Sequence, residues 1–154
     1  MMNRLKRLMA STAVAVAPGD PAERVRLAVA ALLVEIARAD HREEAIEHEA
    51  ITSLVARYFR LGRGEAAELL AEARAAVENS VSLREFTAPL HQELTYADKQ
   101  AIIGMLWDVA LEDNGLDKYE DYLIGKVAEL LYVTRGDVVR LRFEAGQRRA
   151  AADR

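Results

Sequence analysis

The chain contains no cysteine. That excludes a disulfide framework, a cysteine-based zinc site and a thiol nucleophile, and it suits a reducing compartment. Proline and glycine are scarce, three and eight among 154 residues, while Ala, Leu, Glu and Arg abound, so helix is favoured throughout. No uncharged apolar run approaches the roughly 18 residues that suggest a membrane span. A basic excess is missing too: the net charge of -4 argues against general affinity for nucleic acid. Catalytic signatures are thin. There is no Gly-x-Ser-x-Gly and no phosphate loop, and the three histidines, His41, His48 and His91, are scattered. An enzyme is not expected.

What is present is a chain of one-domain length, able to bury a real core. Apolar residues make up 51% and charged residues 30%, with a mean hydropathy of -0.08, the balance expected of a soluble helical protein. The strongest signal is an internal repeat. Residues 35–51 reappear in altered spelling at 108–124: slid by 73 positions, Glu35 falls on Asp108, Asp40 on Asp113, Glu44 on Asp117, Glu47 on Glu120 and Ile51 on Ile124. With a shift of 72, Arg63-Gly64-Glu65 falls on Arg135-Gly136-Asp137. Four acidic positions keep their phase while much between them changes.

The helical reading follows from caps and stripes. Asp20-Pro21-Ala22-Glu23 opens a first helix running to about Asp40, with Val25, Val29, Leu32 and Ile36 on one stripe. A second runs from about Glu44 to Phe59, and Gly62 and Gly64 break the chain before a third over 65–79. Ser82-Leu83-Arg84-Glu85 reads as a capping box for a fourth, in which Pro89 predicts a kink or a late start. Thr95-Tyr96-Ala97-Asp98 caps a fifth, the sixth covers about Lys118 to Tyr132, and Thr134-Arg135-Gly136-Asp137 caps a seventh. Trp107 and Tyr58 fall on apolar faces and read as core. The expected fold is all-α: one bundle of about seven helices, two related three-helix repeats joined by a connector helix. Residues 1–19 read as an arm, a short basic helix (Arg4, Lys6, Arg7) and a flexible tether. A secretory signal is the weaker alternative, because the stretch is poor in Leu and Phe. Residues 20–145 form the helical domain and 146–154 a frayed tail.

The repeated junction carries the chemistry. Asp113-Asn114-Gly115-Leu116-Asp117 sits between two helices with Glu120 one turn further on, and Asp108 or Glu112 can approach from the preceding helix. Oxygen donors with residual negative charge suit Ca²⁺ or Mg²⁺ rather than a soft metal. The loop is too short for an EF-hand. The competing reading is capping: Asp117 with Glu120 at N3 completes a helix start without any metal. Acids near a helix C-terminus, Asp108, Asp113 and Asp40, face the negative end of the dipole and are not explained that way. In the first copy Arg42 lies inside the set and His41 and His48 read as surface residues, so the second copy is expected to bind a cation better.

The segments Ala39-Asp40, Glu44, Glu47 and Ile51, with Leu106-Trp107-Asp108-Val109-Ala110 and Tyr119-Glu120-Asp121-Tyr122-Leu123, resemble the tellurite-resistance TerB family. So do residues 24–35 and Glu85-Phe86-Thr87, and the resemblance spans about 22–145. It implies two related helical hairpins in one bundle and a bacterial cytoplasmic protein associated with tellurite and stress resistance. It also implies acids that bind divalent metal: Glu35, Asp40, Glu44 and Glu47 in the first copy, Asp108, Asp113, Asp117 and Glu120 in the second. The family writes Ala-Asp-Gly at the turn; here His41 replaces that glycine, and Asn114-Gly115 shifts it by one. The combined expectation is a non-enzymatic protein binding Ca²⁺ or Mg²⁺, a protein partner, or both, with no nucleic acid. Peripheral membrane contact, where the family makes it, falls here to the N-terminal arm. The alternative is an interaction module whose acids only cap helices.

Overall fold

The computed structural model describes residues 21–38, 45–111 and 118–152. Seven helices cover them: α1 (Pro21–Arg38), α2 (Ala45–Phe59), α3 (Arg63–Glu78), α4 (Arg84–Glu93), α5 (Tyr96–Ala110), α6 (Lys118–Leu131) and α7 (Arg135–Ala152). No strand occurs among the described residues, so the all-α expectation holds. No helix among them is long and apolar enough to cross a membrane. The expected arm, residues 1–19, and the turns at 39–44 and 112–117 lie outside the described residues.

One stripe was the sequence-based expectation for α1, yet it is buried nearly all round. Val25, Ala28, Val29, Ala30, Ala31, Leu32, Leu33, Val34 and Ile36 are all in the core. The alanines explain this: a helix whose faces are both apolar and small can be packed on every side. Accordingly α1 touches α2, α3, α4, α5 and α6. Its Arg26 stays on the bundle flank, where burial lowers the guanidinium pKa and Glu65 of α3 partly restores it. The second core helix is α5, with Ile102, Ile103, Leu106 and Trp107 fully or almost fully buried. The outermost helix, α7, packs on α5 and α6.

Local chemistry sets the helix ends. At α5 the expected capping box forms: the Asp98 amide donates to Thr95 Oγ1 (3.2 Å) and the Thr95 amide to Asp98 Oδ2 (3.1 Å). At α4 it does not form, and this corrects the sequence reading. The cap position falls on Leu83, with no side-chain bond, and Glu85 reaches back to the amide of Val81 instead (3.2 Å). Pro89 neither delays nor divides α4, which holds it in its second turn while Phe86, Thr87 and Leu90 anchor the helix in the core. At the C-terminal side α7 continues to Ala152, so residues 146–152 are helical where composition suggests fraying.

The ends of α2 and α6 share one device. Arg60 (φ 53°) and Tyr132 (φ 61°) adopt the left-handed conformation, where glycine is usual. The Leu61 amide then donates to the Ala56 carbonyl, and the Val133 amide to the Ala128 carbonyl, both at 2.9 Å. These bonds close the last turn and satisfy carbonyls that water would otherwise have to reach.

Candidate functional site at the acidic helix junctions

Of the eight acids singled out by the repeat, three have described side chains. Glu35 lies on α1, half-buried, and burial pushes its carboxyl pKa up while Arg38 pulls it back. Asp108 sits near the end of α5 with its side chain 15% exposed. Glu120 lies in the first turn of α6 and is 3% exposed. Asp40, Glu44, Asp113, Asp117 and the side chain of Glu47 lie outside the described residues. The two described acids of the second copy therefore flank the 112–117 turn from either side, both drawn inward.

Asp108 has protein partners on both oxygens. The Tyr58 hydroxyl of α2 donates a short hydrogen bond to Oδ2, and Nη2 of Arg148 on α7 donates to Oδ1 at 2.9 Å. One carboxylate thus ties α2, α5 and α7 together. Gly104, one turn earlier on α5, lies beside the arginine: a Cβ there would make ordinary van der Waals contact with Arg148 Nη2 at 3.8 Å. Burial and the bond to Asp108 push the Tyr58 phenol pKa up to about 12. Tyr58 is thus more than the core aromatic that the sequence suggested. Arg148 was assigned to a fraying tail. Neither was legible from spacing, because the partners are 50 and 40 positions from Asp108.

Around this centre lie further contacts. The Arg142 guanidinium stacks over the Trp107 ring at 5.4 Å, and Trp107 Nε1 is buried with no hydrogen-bond partner among the described residues. At the other end of α5, the buried Lys99 ammonium lies 2.7 Å from His91 Nδ1. The His91 ring packs on Tyr132 with centroids 4.8 Å apart. His91 is thus a hydrogen-bonded helix histidine. The N-terminus of α7 is fixed by Tyr96, whose hydroxyl donates to Asp137 Oδ2 (2.5 Å) and accepts from the Thr134 amide (3.1 Å). Hydrogen bonds from Tyr96 and Thr134 lower the Asp137 pKa.

Chemically, Asp108 and Glu120 offer hard oxygen donors of the kind that hold Ca²⁺ or Mg²⁺. Among the described residues no group of three or more His, Cys, Asp or Glu side chains is arranged to hold a metal ion. A complete ligand set needs donors from the 112–117 turn.

A family model described as "Tellurite resistance protein TerB" matches residues 26–143. No curated protein and no solved structure matches the chain.

Proposed function

The chain belongs to the TerB family, and on that premise we propose that it is a non-enzymatic cytoplasmic protein of tellurite and stress resistance. In this reading it binds a hard divalent cation, Ca²⁺ or Mg²⁺, and a protein partner, and the acidic junctions take the cation. The observation that carries the cation half is the placement of Asp108 and Glu120, both drawn inward, on either side of the 112–117 segment that holds Asp113 and Asp117. A divalent ion held by Glu120 with Asp113 and Asp117 would draw on that placement. The pattern of three acids beside one buried acid also suits oxygen-only coordination. Asp108 would join only by giving up Arg148, so its carboxylate is the contested member of the set.

The duplicated origin of the bundle belongs to the same proposal. Helices α1 to α3 run 18, 15 and 16 residues, and α5 to α7 run 15, 14 and 18. Arg60 and Tyr132 stand at matching positions of α2 and α6 and close them with the same hydrogen bond. A shared non-glycine terminator supports descent from one repeat, since the left-handed conformation is disfavoured for both residues.

A second reading is favoured by the Tyr58–Asp108–Arg148 contact. If all the acids are satisfied this way, by caps and protein donors, the domain is a structural interaction module. Thermal melting with and without Ca²⁺, Mg²⁺ or Mn²⁺ separates the two. A cation binding only the folded state at about one hundred times its Kd adds roughly 2.7 kcal/mol. The cation reading predicts such a gain for the wild type and its loss in Asp113→Asn; a wild type indifferent to all three ions leaves the interaction module.

A further inference from the structure

Among the described residues the outward face of α7 is left exposed, and its pattern is that of a helix made for another helix. Val139 is 62% and Phe143 64% exposed. Gly146 and Ala150 continue the line, giving spacings of four, three and four residues, the alternation of a coiled-coil seam. The core-facing residues Leu141 and Ala145 lie on the other side of the helix. Gly146 costs helix stability relative to alanine, and no close approach among the described residues requires it: a Cβ there would meet none of their atoms within 4 Å. A glycine in open space beside an exposed Phe leaves a notch that a second helix can enter closely.

Charge selects the occupant. Arg135, Arg142 and Arg149 recur every seven residues along one flank of the seam, and Arg140 lies on the other. Over its 18 residues α7 carries five arginines against two acids, on a chain whose net charge is -4. Several of these arginines have intramolecular partners: Arg140 pairs with Asp137 and Glu144, and Arg142 lies 3.9 Å from Asp121. Such half-exposed pairs are worth little and yield to a better-placed carboxylate. A second copy of α7 would set the arginine row against itself when antiparallel and against Arg140 and Gln147 when parallel, with no acidic row to meet it, which disfavours self-association.

We propose that this face of α7 docks an acidic amphipathic helix of a partner protein, with small and branched residues over Phe143 and Gly146 and Glu or Asp flanking them. The inference deepens the partner half of the proposed function. It is tested on the full chain in the presence of a chelator, so that the cation half plays no part in the result. The probe is a synthetic helical peptide with a Leu/Ala stripe flanked by Glu, read by fluorescence anisotropy, beside a counterpart in which Lys replaces Glu. Binding of the Glu peptide alone, weakening as salt rises, is the expected result. Gly146→Leu should fill the notch without lowering Tm and weaken binding at least about tenfold, and Arg135→Glu should weaken it too. Equal binding of both peptides, no binding of either, or insensitivity to Gly146→Leu overturns the proposal. So does a wild-type dimer in sedimentation that Gly146→Leu disperses, or binding to anionic vesicles without binding to the Glu peptide. Cation-dependent stabilisation measured separately shows whether the cation reading survives such a failure.

Discussion

Phenylalanine at position 58 keeps the ring and its contact with Arg57 (5.3 Å) but deletes the hydroxyl that donates to Asp108. A hydrogen bond to a charged acceptor contributes about 1.5–3 kcal/mol. Tyr58 is only part-buried, so Tyr58→Phe should cost about 1.5 kcal/mol, near the lower end. Arg148→Ala breaks the other arm, a pair with one half-exposed partner (52% and 15%), and should cost about 0.5–1 kcal/mol. Asp108→Ala removes the shared acceptor and leaves the Tyr58 hydroxyl without it, so about 2–3 kcal/mol is expected. In urea unfolding, midpoints should fall without a change in slope, and Tm for Asp108→Ala should drop by about 5–10 °C for a chain of this size. The decisive quantity is the coupling. Tyr58→Phe and Asp108→Ala combined should cost about 1–2 kcal/mol less than the sum of the singles. Additivity within about 0.5 kcal/mol would refute the claim that this carboxylate links α2 to α5.

Further outcomes follow from single sites. With its phenol pKa raised to about 12, Tyr58 should give a late phase in a phenolate-absorbance titration, and that phase should vanish in Tyr58→Phe. The sign follows: a folded pKa above the unfolded value of about 10 gives stability that is complete below pH 10 and lost as pH rises towards 12. Arg60→Gly relieves a left-handed conformation at the end of α2, and unfolding should show a gain of up to about 1 kcal/mol; a loss would mean that the Arg60 side chain contributes more than the strain costs. Tyr96→Phe deletes the donor to Asp137, so the Asp137 carboxyl, read by NMR titration, should move back up towards the ordinary carboxylate range.

Much of the fold was legible because its signals are local. The Thr95–Asp98 box, the break at Gly62 and the apolar content of α1 and α5 sit within a few residues of the structure they specify. The reading failed where two local signals competed. Ser82 with Glu85 has the spelling of a cap, yet the chain turns so that Leu83 takes the cap position of α4 and Glu85 reaches Val81. Pro89 reads as a kink or a late start, and the helix runs from Arg84 to Glu93 with Pro89 inside it, held by the buried Phe86 and Leu90. The site was legible only as a list of acids. Spacing put Asp108 in the set but could not show that Tyr58 and Arg148 share it, since tertiary packing alone brings α2 and α7 to α5.

The central claim is that the second acidic junction binds a hard cation, and calorimetric titration of Ca²⁺ and Mg²⁺ into metal-stripped protein tests it most directly. Wild type should show saturable binding. Asp113→Asn and Glu120→Gln should each weaken it at least about tenfold, or about 1.4 kcal/mol, whereas Asp40→Asn in the first junction should weaken it less. Absence of saturable binding to the wild type, or affinities unchanged by both second-junction variants, would contradict the account.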